Sequence, residues 1–379
     1  MEIHPNLTVK ITKAIKDIPI QDWDRAFLPV LENYHFFKAL DESNFEQFSF
    51  FYIIVYKDGV PVGATSCFTM RFSLDMTVNG FLRHVFSAVK KIVPNILSPK
   101  VLICGLPMGQ GRIGITDDTL PVMDVIRNSV EQLAQEEKAA MVIFKDFISV
   151  YDNLFKPFLK IGYFKIESIP STEMQINFTS FEEYLKALSR ASREGLKRNL
   201  KKTDNLVKVD FQVKDKLDEE ELSQVHELYL QTYRKQDIGL EKLPIEFFRS
   251  MSRNMPNEVK YFLWKIDSKI AAFAFCLFKG DYFIDYYLGF DYTISHKYNL
   301  YIVRFRDLLK WCIEHGIKKY EMGVTSYEAK RRLGFSFIRL YFYMKHRNPI
   351  INKCVPLLKF FFAPEYFDPV FKEMHADVK

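Results

Sequence analysis

Two strand–turn–strand patterns, one in each half of the chain, constrain the fold more than any other sequence feature. Residues 51–68 read FYIIVYKDGVPVGATSCF, and residues 261–278 read YFLWKIDSKIAAFAFCLF. In each segment, two apolar runs flank a short polar turn, Asp58-Gly59 in the first and Asp267-Ser268-Lys269 in the second. This pattern predicts a β-hairpin. Its recurrence indicates that one building block occurs twice.

A helix followed by a strand is the second repeated pattern. Residues 121–138 and 299–316 have the apolar spacing of a helix. Each is followed by an apolar run that predicts a buried strand, 139–147 in the first half and 317–323 in the second. Gly316 stands where a helix is expected to end.

A glycine corner is the third repeated pattern. Residues 151–166 and 327–338 both open with Tyr and an acidic residue in a helical pattern, stop at a glycine, and enter an aromatic strand. The glycines are Gly162 and Gly334, where a residue without Cβ lets a helix end in a left-handed conformation. Three pairs in the same order predict a duplicated α/β unit.

Length, charge and cysteine content set the expected class of protein. The 379 residues suffice for two domains, and a turn cluster near residue 170 predicts a division into 1–175 and 176–379. The net charge of +6 favours an anionic partner or substrate. Five scattered cysteines predict free thiols in a reducing compartment. With no secretory pattern and no long apolar run, we expect a soluble, cytoplasmic protein.

The order of elements and the corners FLKIGYF and KRRLGFSF resemble the GNAT acyltransferase superfamily. The segments FEEYLKALSRASREGLKRNLKK, YLGFD and EMGVTSYEAKRRLGF are similar to its FemAB-like branch. The resemblance implies an α/β fold (α+β mixed sheet) made of two tandem GNAT-like domains. It also implies an N-acyltransferase that uses acyl-CoA as donor and an amine, either a small molecule or lipid-like, as acceptor, with no metal.

Two alternatives stay open within this resemblance. Bridge-forming relatives take their acyl group from aminoacyl-tRNA, so a tRNA donor is the first. The second is a double GNAT domain that binds a ligand without catalysis. Two departures from the superfamily pattern favour it. The segment DYTISHKYNLYIV lacks the glycines of the phosphate-binding loop, and Arg331 stands where many members have a Tyr that acts as general acid.

Three residues of the second half are candidates for proton transfer. Glu321 ends a predicted strand, at the edge where open α/β sheets bind ligands, and is the first choice of general base. Asp285, inside the strand 281–290, is an alternative base because burial raises the pKa of a carboxylate. Tyr327 is the candidate acid.

Other residues are candidates for binding the donor. The start of a helix attracts anions, so the turn before the helix 299–315 is expected to hold phosphates. Gly289 and Asp291 match the pattern of the FemAB-like branch, and Arg193 and Lys197 lie on a basic helical face that suits a polyanion. The residues expected to contact the carrier are Ser295, His296, Lys297, Tyr298, Asn299 and Lys330.

Other chemistries lack their motifs. The glycine-rich stretch GLPMGQGRIGI, residues 105–115, is not followed by the Lys-Ser/Thr pair of a P-loop, so we interpret it as a substrate-lining loop. No metalloprotease or serine-hydrolase motif occurs, and no DNA partner is expected. Two apolar–basic stretches, 78–97 and 348–362, are candidates for contact with a membrane surface.

Overall fold

A computed structural model describes most of the chain as two compact units. The described residues are 7–72, 98–117, 119, 121–235, 241–324, 326–354, 356 and 371. The predicted stretch 78–97 therefore lies outside the described residues, as does most of 348–362 beyond residue 356. One unit comprises Met1–Pro170, Leu240–Lys242 and Arg339–Lys379, and the other comprises Ser171–Gly239 and Leu243–Ile338.

The described elements include strands and helices throughout the chain. The strands are β1 (Leu7–Thr12), β2 (Ser49–Lys57), β3 (Val60–Arg71), β4 (Lys100–Cys104), β5 (Ile113–Ile115), β6 (Met141–Ile148), β7 (Phe164–Glu167), β8 (Ser171–Gln175), β9 (Asp210–Lys214), β10 (Val259–Ile266), β11 (Lys269–Lys279), β12 (Tyr282–Phe290), β13 (Lys319–Glu321), β14 (Ser336–Ile338) and β15 (Leu340–His346). The α-helices are α1 (Ile20–Ala26), α2 (Tyr34–Glu42), α3 (Val122–Glu136), α4 (Asp152–Leu159), α5 (Phe181–Ala187), α6 (Arg190–Leu206), α7 (Glu219–Lys235), α8 (Ile245–Asn254), α9 (Leu300–Glu314), α10 (Tyr327–Arg332) and α11 (Pro349–Asn352).

Each unit is built on one mixed sheet, as the sequence predicts. The first sheet has the order β1-β2-β3-β4-β6-β15-β7, with β5 also paired to β3. The second has the order β14-β8-β13-β12-β11-β10-β9. Both hairpins form as expected, β2 with β3 and β10 with β11. The two sheets therefore confirm the α/β fold with a repeated unit.

The last strand of each repeat belongs to the sheet of the other repeat. Strand β8, which ends the first repeat, pairs antiparallel with β13 and β14 in the second sheet. Strand β15, which ends the second repeat, pairs antiparallel with β6 and β7 in the first sheet. The predicted division after residue 175 did not include this exchange. It puts Ser171–Gln175 in the second unit and Arg339–Lys379 in the first.

Helix α9 forms the centre of the second unit's core, and its residues bury the face that their spacing predicts. Leu300, Val303, Leu308 and Leu309 are at most 1% exposed, and Ile313 packs against the edge of the same cluster. Both glycine corners also form, with φ of +92° at Gly162 and +86° at Gly334, a region that side chains with Cβ seldom adopt. Of the described helices, none has both the length and the apolar character needed to cross a bilayer.

Gly289 on β12 tests this packing. An added Cβ there would lie 2.4 Å from the Phe273 ring and 2.6 Å from the backbone of Leu228, because helix α7 crosses the strand at this point. We expect Gly289→Ala to lower the free energy of unfolding by about 2–3 kcal/mol, since backbone atoms would have to move.

The matched control is Gly195→Ala in helix α6, where an added Cβ meets no atom within 4 Å. It should raise the free energy of unfolding by about 0.5–1 kcal/mol, because alanine is the better helix former. Urea unfolding of both variants measures the difference, and equal stabilities would contradict the described packing.

Candidate active site

Strands β12 and β13 part inside the second sheet. They run parallel, and their pairing extends from Tyr282↔Lys319 to Ile284↔Glu321. Strand β13 ends at Glu321, whereas β12 continues to Phe290. The inner edge of β12 is therefore separated from β13 beyond this last pair. We call this opening, bounded by residues 285–290 of β12 and 322–324 after β13, the fork.

A bulge lies where the fork begins. Strand β12 pairs with β11 through Phe275↔Tyr287 and Cys276↔Asp285, so Tyr286 is an extra residue on β12. Such a bulge bends the strand and changes which face its side chains take. The bulge at Tyr286 lies two residues after Ile284, the last residue of β12 that pairs with β13.

A buried ion pair lies at the base of the fork. Asp285 accepts a hydrogen bond from Nη1 of Arg304 on α9, and the side chain of Arg304 is 0% exposed. Tyr320 of β13 also donates to Asp285, at 3.2 Å, and the Cys276 thiol lies 3.8 Å away. Burial opposes the charge of Arg304, but the facing carboxylate outweighs it and keeps the pKa of the guanidinium above its ordinary value.

Glu321 ends β13 at the last pair before the fork. It is 2% exposed, and its carboxylate accepts hydrogen bonds from Tyr282 of β12 and, at 2.7 Å, from Ser171 of β8. Because side chains alternate along a strand, Glu321 and the core residue Tyr320 lie on opposite faces of the sheet. The candidate bases Asp285 and Glu321 therefore flank the start of the fork from opposite faces.

Lys330 of α10 holds the backbone that follows β13. Its ammonium donates to the carbonyl oxygens of Met322 at 2.5 Å, Gly323 at 2.8 Å and Val324 at 3.3 Å. The side chain is buried, and burial lowers the pKa of Lys330 to about 7. Tyr327, in the first turn of the same helix, is 3% exposed and packs against Phe337. Contact of Lys330 with a carrier stays a prediction, and its partners here are three carbonyl oxygens.

The turn between β12 and α9 brings the predicted carrier residues together. Asp291 closes its start by accepting from the backbone and hydroxyl of Thr293, at 2.9 and 2.6 Å. Asn299 precedes α9 with φ of +46° and its side chain makes no capping hydrogen bond. Ser295 is buried, whereas His296 and Lys297 are exposed. The exposed part of this turn is thus basic.

Helix α6 is held to this turn at its C-terminal end. The buried hydroxyl of Thr203 donates to the carbonyl of Tyr298 at 2.8 Å and accepts from Asn299 at 3.3 Å. On the same helix, Lys197 is exposed, and Arg193 donates to the carbonyl of Leu188 at 3.4 Å. The predicted basic face is present, but Arg193 is partly used within the protein.

The first unit closes the equivalent opening with its own chain. Strands β4 and β6 run parallel up to Cys104↔Phe144. Residues 105–112 then lie between β3 and β6, with the Gly105 amide bonded to Ser66 and the Gly111 amide to Asp146, both at 2.9 Å. We call residues 105–112 the plug. Its buried side chains include Leu106, Pro107, Met108 and Gln110.

We interpret the glycine-rich stretch from sequence as a substrate-lining loop. In the structure, two of its glycines lie where an added Cβ would clash with neighbouring atoms. A Cβ at Gly111 would lie 2.3 Å from the carbonyl of Lys145 and 2.6 Å from the Phe147 ring. Gly114 just beyond is equally close to the backbone of Ala26. These glycines permit close backbone approach inside the unit.

The family comparison matches the part of the chain that contains the fork. Residues 190–331 match the model of the acetyltransferase (GNAT) domain. The chain is similar in structure to FemX, with a TM-score of 0.57 and 12% identity, over 91% of this chain and 99% of that one. It is also similar to a tandem GNAT protein from the clavulanic acid biosynthesis pathway, with a TM-score of 0.50 and 9% identity, over 91% and 99% of the two chains.

The chain has the fold of tandem GNAT proteins. A further structural likeness is to L-PGS from Bacillus licheniformis, with a TM-score of 0.51 and 13% identity, over 86% of this chain and 94% of that one. Such identities establish the fold alone. Within the tandem GNAT fold, the acyltransferase domain that the family model matches coincides with the second unit's fork.

The relatives found by sequence are longer than this chain. Two strains of Mycobacterium tuberculosis have a candidate 8-amino-7-oxononanoate synthase 2 that is 23% identical over 342 residues. The match covers 86% of this chain but only 43% of each relative. This tandem GNAT chain therefore spans less than half the length of the curated relatives it matches.

Sequence reasoning missed the partners that hold the site residues. Arg304 was read as part of an ordinary helix, although an arginine among apolar residues at the buried spacing of α9 could have indicated an internal ion pair. Ser171 and Tyr282 are far from Glu321 in sequence, and no local pattern connects them. Among the described residues, no group of His, Cys, Asp and Glu has a metal-binding arrangement.

Removal of one partner tests the ion pair at the base of the fork. Asp285→Asn should lower the free energy of unfolding by about 3–5 kcal/mol, because Arg304 would keep a buried charge without a counter-ion. The double variant Asp285→Leu/Arg304→Met should recover most of this loss. Glu194→Gln, in the exposed Arg190–Glu194 pair, should cost at most about 0.5 kcal/mol. If urea unfolding shows that Asp285→Asn and Glu194→Gln lower the free energy of unfolding by the same amount, the buried pair is refuted.

The pH dependence of stability tests the burial of Lys330. Its folded-state pKa of about 7 lies below the ordinary value of 10.5, so between these limits the unfolded chain binds more protons than the folded one. The free energy of unfolding should therefore rise with pH through this window. The slope should be about 1.4 kcal/mol per pH unit steeper for the wild type than for Lys330→Met. Unfolding curves from pH 7 to 10 measure the slopes. The exposed-site control Lys318→Met should keep the wild-type slope, and parallel wild-type and Lys330→Met curves would exclude the shift.

Proposed function

We propose that this chain is an N-acyltransferase that binds acyl-CoA in the fork of the second unit and passes the acyl group to an amine. The observation that carries the proposal is the parting of β12 from β13 beside two buried carboxylates, inside the part of the chain that matches the GNAT domain. The clavulanic acid pathway neighbour, solved without AcCoA, has the same tandem fold.

The fork suits an extended thioester. Strand β12 continues beyond its last pair with β13, and an extended ligand can hydrogen-bond alongside a strand as an added strand does. A backbone N–H directed at the thioester carbonyl would stabilise the charge that develops on its oxygen. The walls of the fork are thus suited to positioning, which supplies much of the rate in acyl transfer.

Glu321 is our proposed general base. Its two hydroxyl donors, Tyr282 and Ser171, hold the carboxylate in one orientation at the start of the fork. The amine nitrogen bonds to the thioester carbon, Glu321 accepts the proton that nitrogen loses, and the carbon–sulfur bond breaks. The leaving CoA thiolate takes up a proton, for which Tyr327 is the proposed acid. We assign Asp285, which accepts hydrogen bonds from Arg304 and Tyr320, a structural role in fixing α9 rather than the role of general base.

The phosphates of the donor are assigned to the turn before α9. The exposed His296 and Lys297 lie there, next to the start of a helix of fifteen residues, Leu300–Glu314. The helix dipole and the lysine charge both favour a phosphate. Gly323 and the carbonyls that Lys330 holds then form the opposite wall. We infer a reducing, cytoplasmic setting, in keeping with the free thiols of the buried cysteines.

Donor binding and turnover test this proposal together. Isothermal titration with CoA and acyl-CoAs should give saturable binding, and thiol release should appear in the presence of a suitable amine. Lys297→Glu should weaken CoA binding about tenfold, because like charges repel the phosphates, whereas the exposed control Lys318→Glu should leave it within twofold. Glu321→Gln should bind CoA normally and lose about 100-fold or more in kcat. Equal CoA affinity of the two lysine variants would sink the assigned phosphate site.

An aminoacyl-tRNA donor is the second candidate, and one surface of α6 favours it. Lys197, Arg198, Lys201 and Lys202 are exposed on this helix, and its end is bonded to the proposed phosphate turn through Thr203. Binding of RNA to such a face should fall steeply with salt, unlike binding of one CoA. Substitution of all four by Gln should abolish RNA binding and spare CoA binding; RNA binding that survives would eliminate this candidate.

A further inference from the structure

Four aliphatic side chains of the first unit project into solvent. Leu159 is 45% exposed, Ile161 40%, Ile350 77% and Ile351 49%. Leu159 ends α4, Ile161 follows it before the glycine corner, and the two other isoleucines form the middle of α11. Exposed aliphatic residues are ordinary singly, but a group of them indicates a contact surface.

The two pairs lie side by side because their neighbours are bonded. The Asn352 amide donates to the carbonyl of Gly162 at 2.9 Å, and these two residues directly follow Ile351 and Ile161 in sequence. The Asn352 oxygen also accepts from the backbone of His346 at 2.8 Å. Helix α11 is thus fixed against the glycine corner.

A second asparagine, Asn348, stabilises the helix that carries Ile350 and Ile351. Asn348 caps α11 by accepting from the amides of Ile350 and Ile351, at 2.9 and 3.2 Å. The short helix therefore does not depend on packing of its isoleucines to stay folded. Their exposure is built into a hydrogen-bonded frame.

Exposed lysines are close in sequence to these aliphatic residues. Lys156 and Lys160 of the first segment and Lys353 of the second are exposed. The segments 153–163 and 347–354 contain no acidic residue. We call Leu159, Ile161, Ile350 and Ile351, together with these three lysines, the basic–apolar patch. Its chemistry combines a small apolar centre with three exposed lysines.

The charge decides among possible occupants. In a symmetric dimer the patch would face its own copy, and the lysines of both copies would repel one another. A bilayer that contains anionic lipids meets both requirements, because aliphatic side chains enter the boundary of the acyl chains while lysine ammonium groups stay among the phosphates. Neither component alone gives stable attachment, but the two together do.

We propose that the basic–apolar patch attaches the protein to the surface of a bilayer rich in anionic lipids. The inference uses only residues of the first unit and does not rest on the donor or the acceptor of the acyl transfer. It limits the membrane contact expected for residues 348–362 to the described residues of α11. It adds residues 159–161, which precede the glycine corner at Gly162. An enzyme held in this way would act at the membrane surface.

Sedimentation of the full chain with vesicles tests the proposal. Vesicles of phosphatidylcholine with phosphatidylglycerol should bind the protein, and vesicles of phosphatidylcholine alone should bind it far less. The triple variant Lys156→Gln/Lys160→Gln/Lys353→Gln should lose affinity for the anionic vesicles about 100-fold, at about fivefold per lysine. The matched control Lys16→Gln/Lys269→Gln/Lys279→Gln removes three exposed lysines elsewhere and should stay within a few-fold of wild type. Binding should also fall as salt rises.

Cys354 supplies a second readout. It is exposed next to Lys353, whereas the other four cysteines are buried, so a polarity-sensitive thiol label should react there alone. Emission of the label should shift to the blue with anionic vesicles, and Ile350→Ser should reduce the shift without lowering the melting temperature. Equal loss of binding in both triple variants would overturn the proposal. So would equal binding to neutral vesicles, or a patch-dependent dimer without lipid binding.

Discussion

A buried ion pair, Asp285 with Arg304, holds the second unit in the form on which the proposed function depends. Two opposite charges in an apolar interior are stable only together, so helix α9 is fixed to strand β12 at one position. Tyr320 adds β13 to the same cluster at the last residues where the two strands are paired. The cluster therefore fixes the helix, the bulged strand and the start of the fork at once. Lys330 fixes the other wall through three carbonyl oxygens.

The same building block has two outcomes in this chain. In the second unit, β12 continues past the end of β13 and leaves the fork open. In the first, the chain leaves β4 at Cys104, packs residues 105–112 between neighbouring strands, and resumes pairing with β3 at β5. Glycines make this plug possible, since Gly111 and Gly114 contact backbone atoms where a Cβ would clash. The parallel strand pair is thus followed by the fork in the second unit and by the plug in the first.

Local patterns predicted the fold well and the partners of the site poorly. The hairpins, helix α9 and the glycine corners follow from neighbouring residues and form as expected. The exchange of β8 and β15 depends on pairing between distant segments, which no local pattern encodes. For the same reason, Glu321 and Lys330 were found as candidates, but the donors and acceptors that surround them were not. The catalytic roles of Glu321, Tyr327 and Asp285 stay predictions.

Hydrogen–deuterium exchange with and without acyl-CoA tests most directly the claim that the second unit alone binds the donor. Backbone amides of residues 286–300 and 322–324 line the fork and the phosphate turn, and amides that gain hydrogen bonds exchange more slowly. The account predicts that saturating acyl-CoA slows exchange in these two segments and leaves the plug at 105–112 unchanged. Slower exchange at the plug, with no change along the fork, would contradict it.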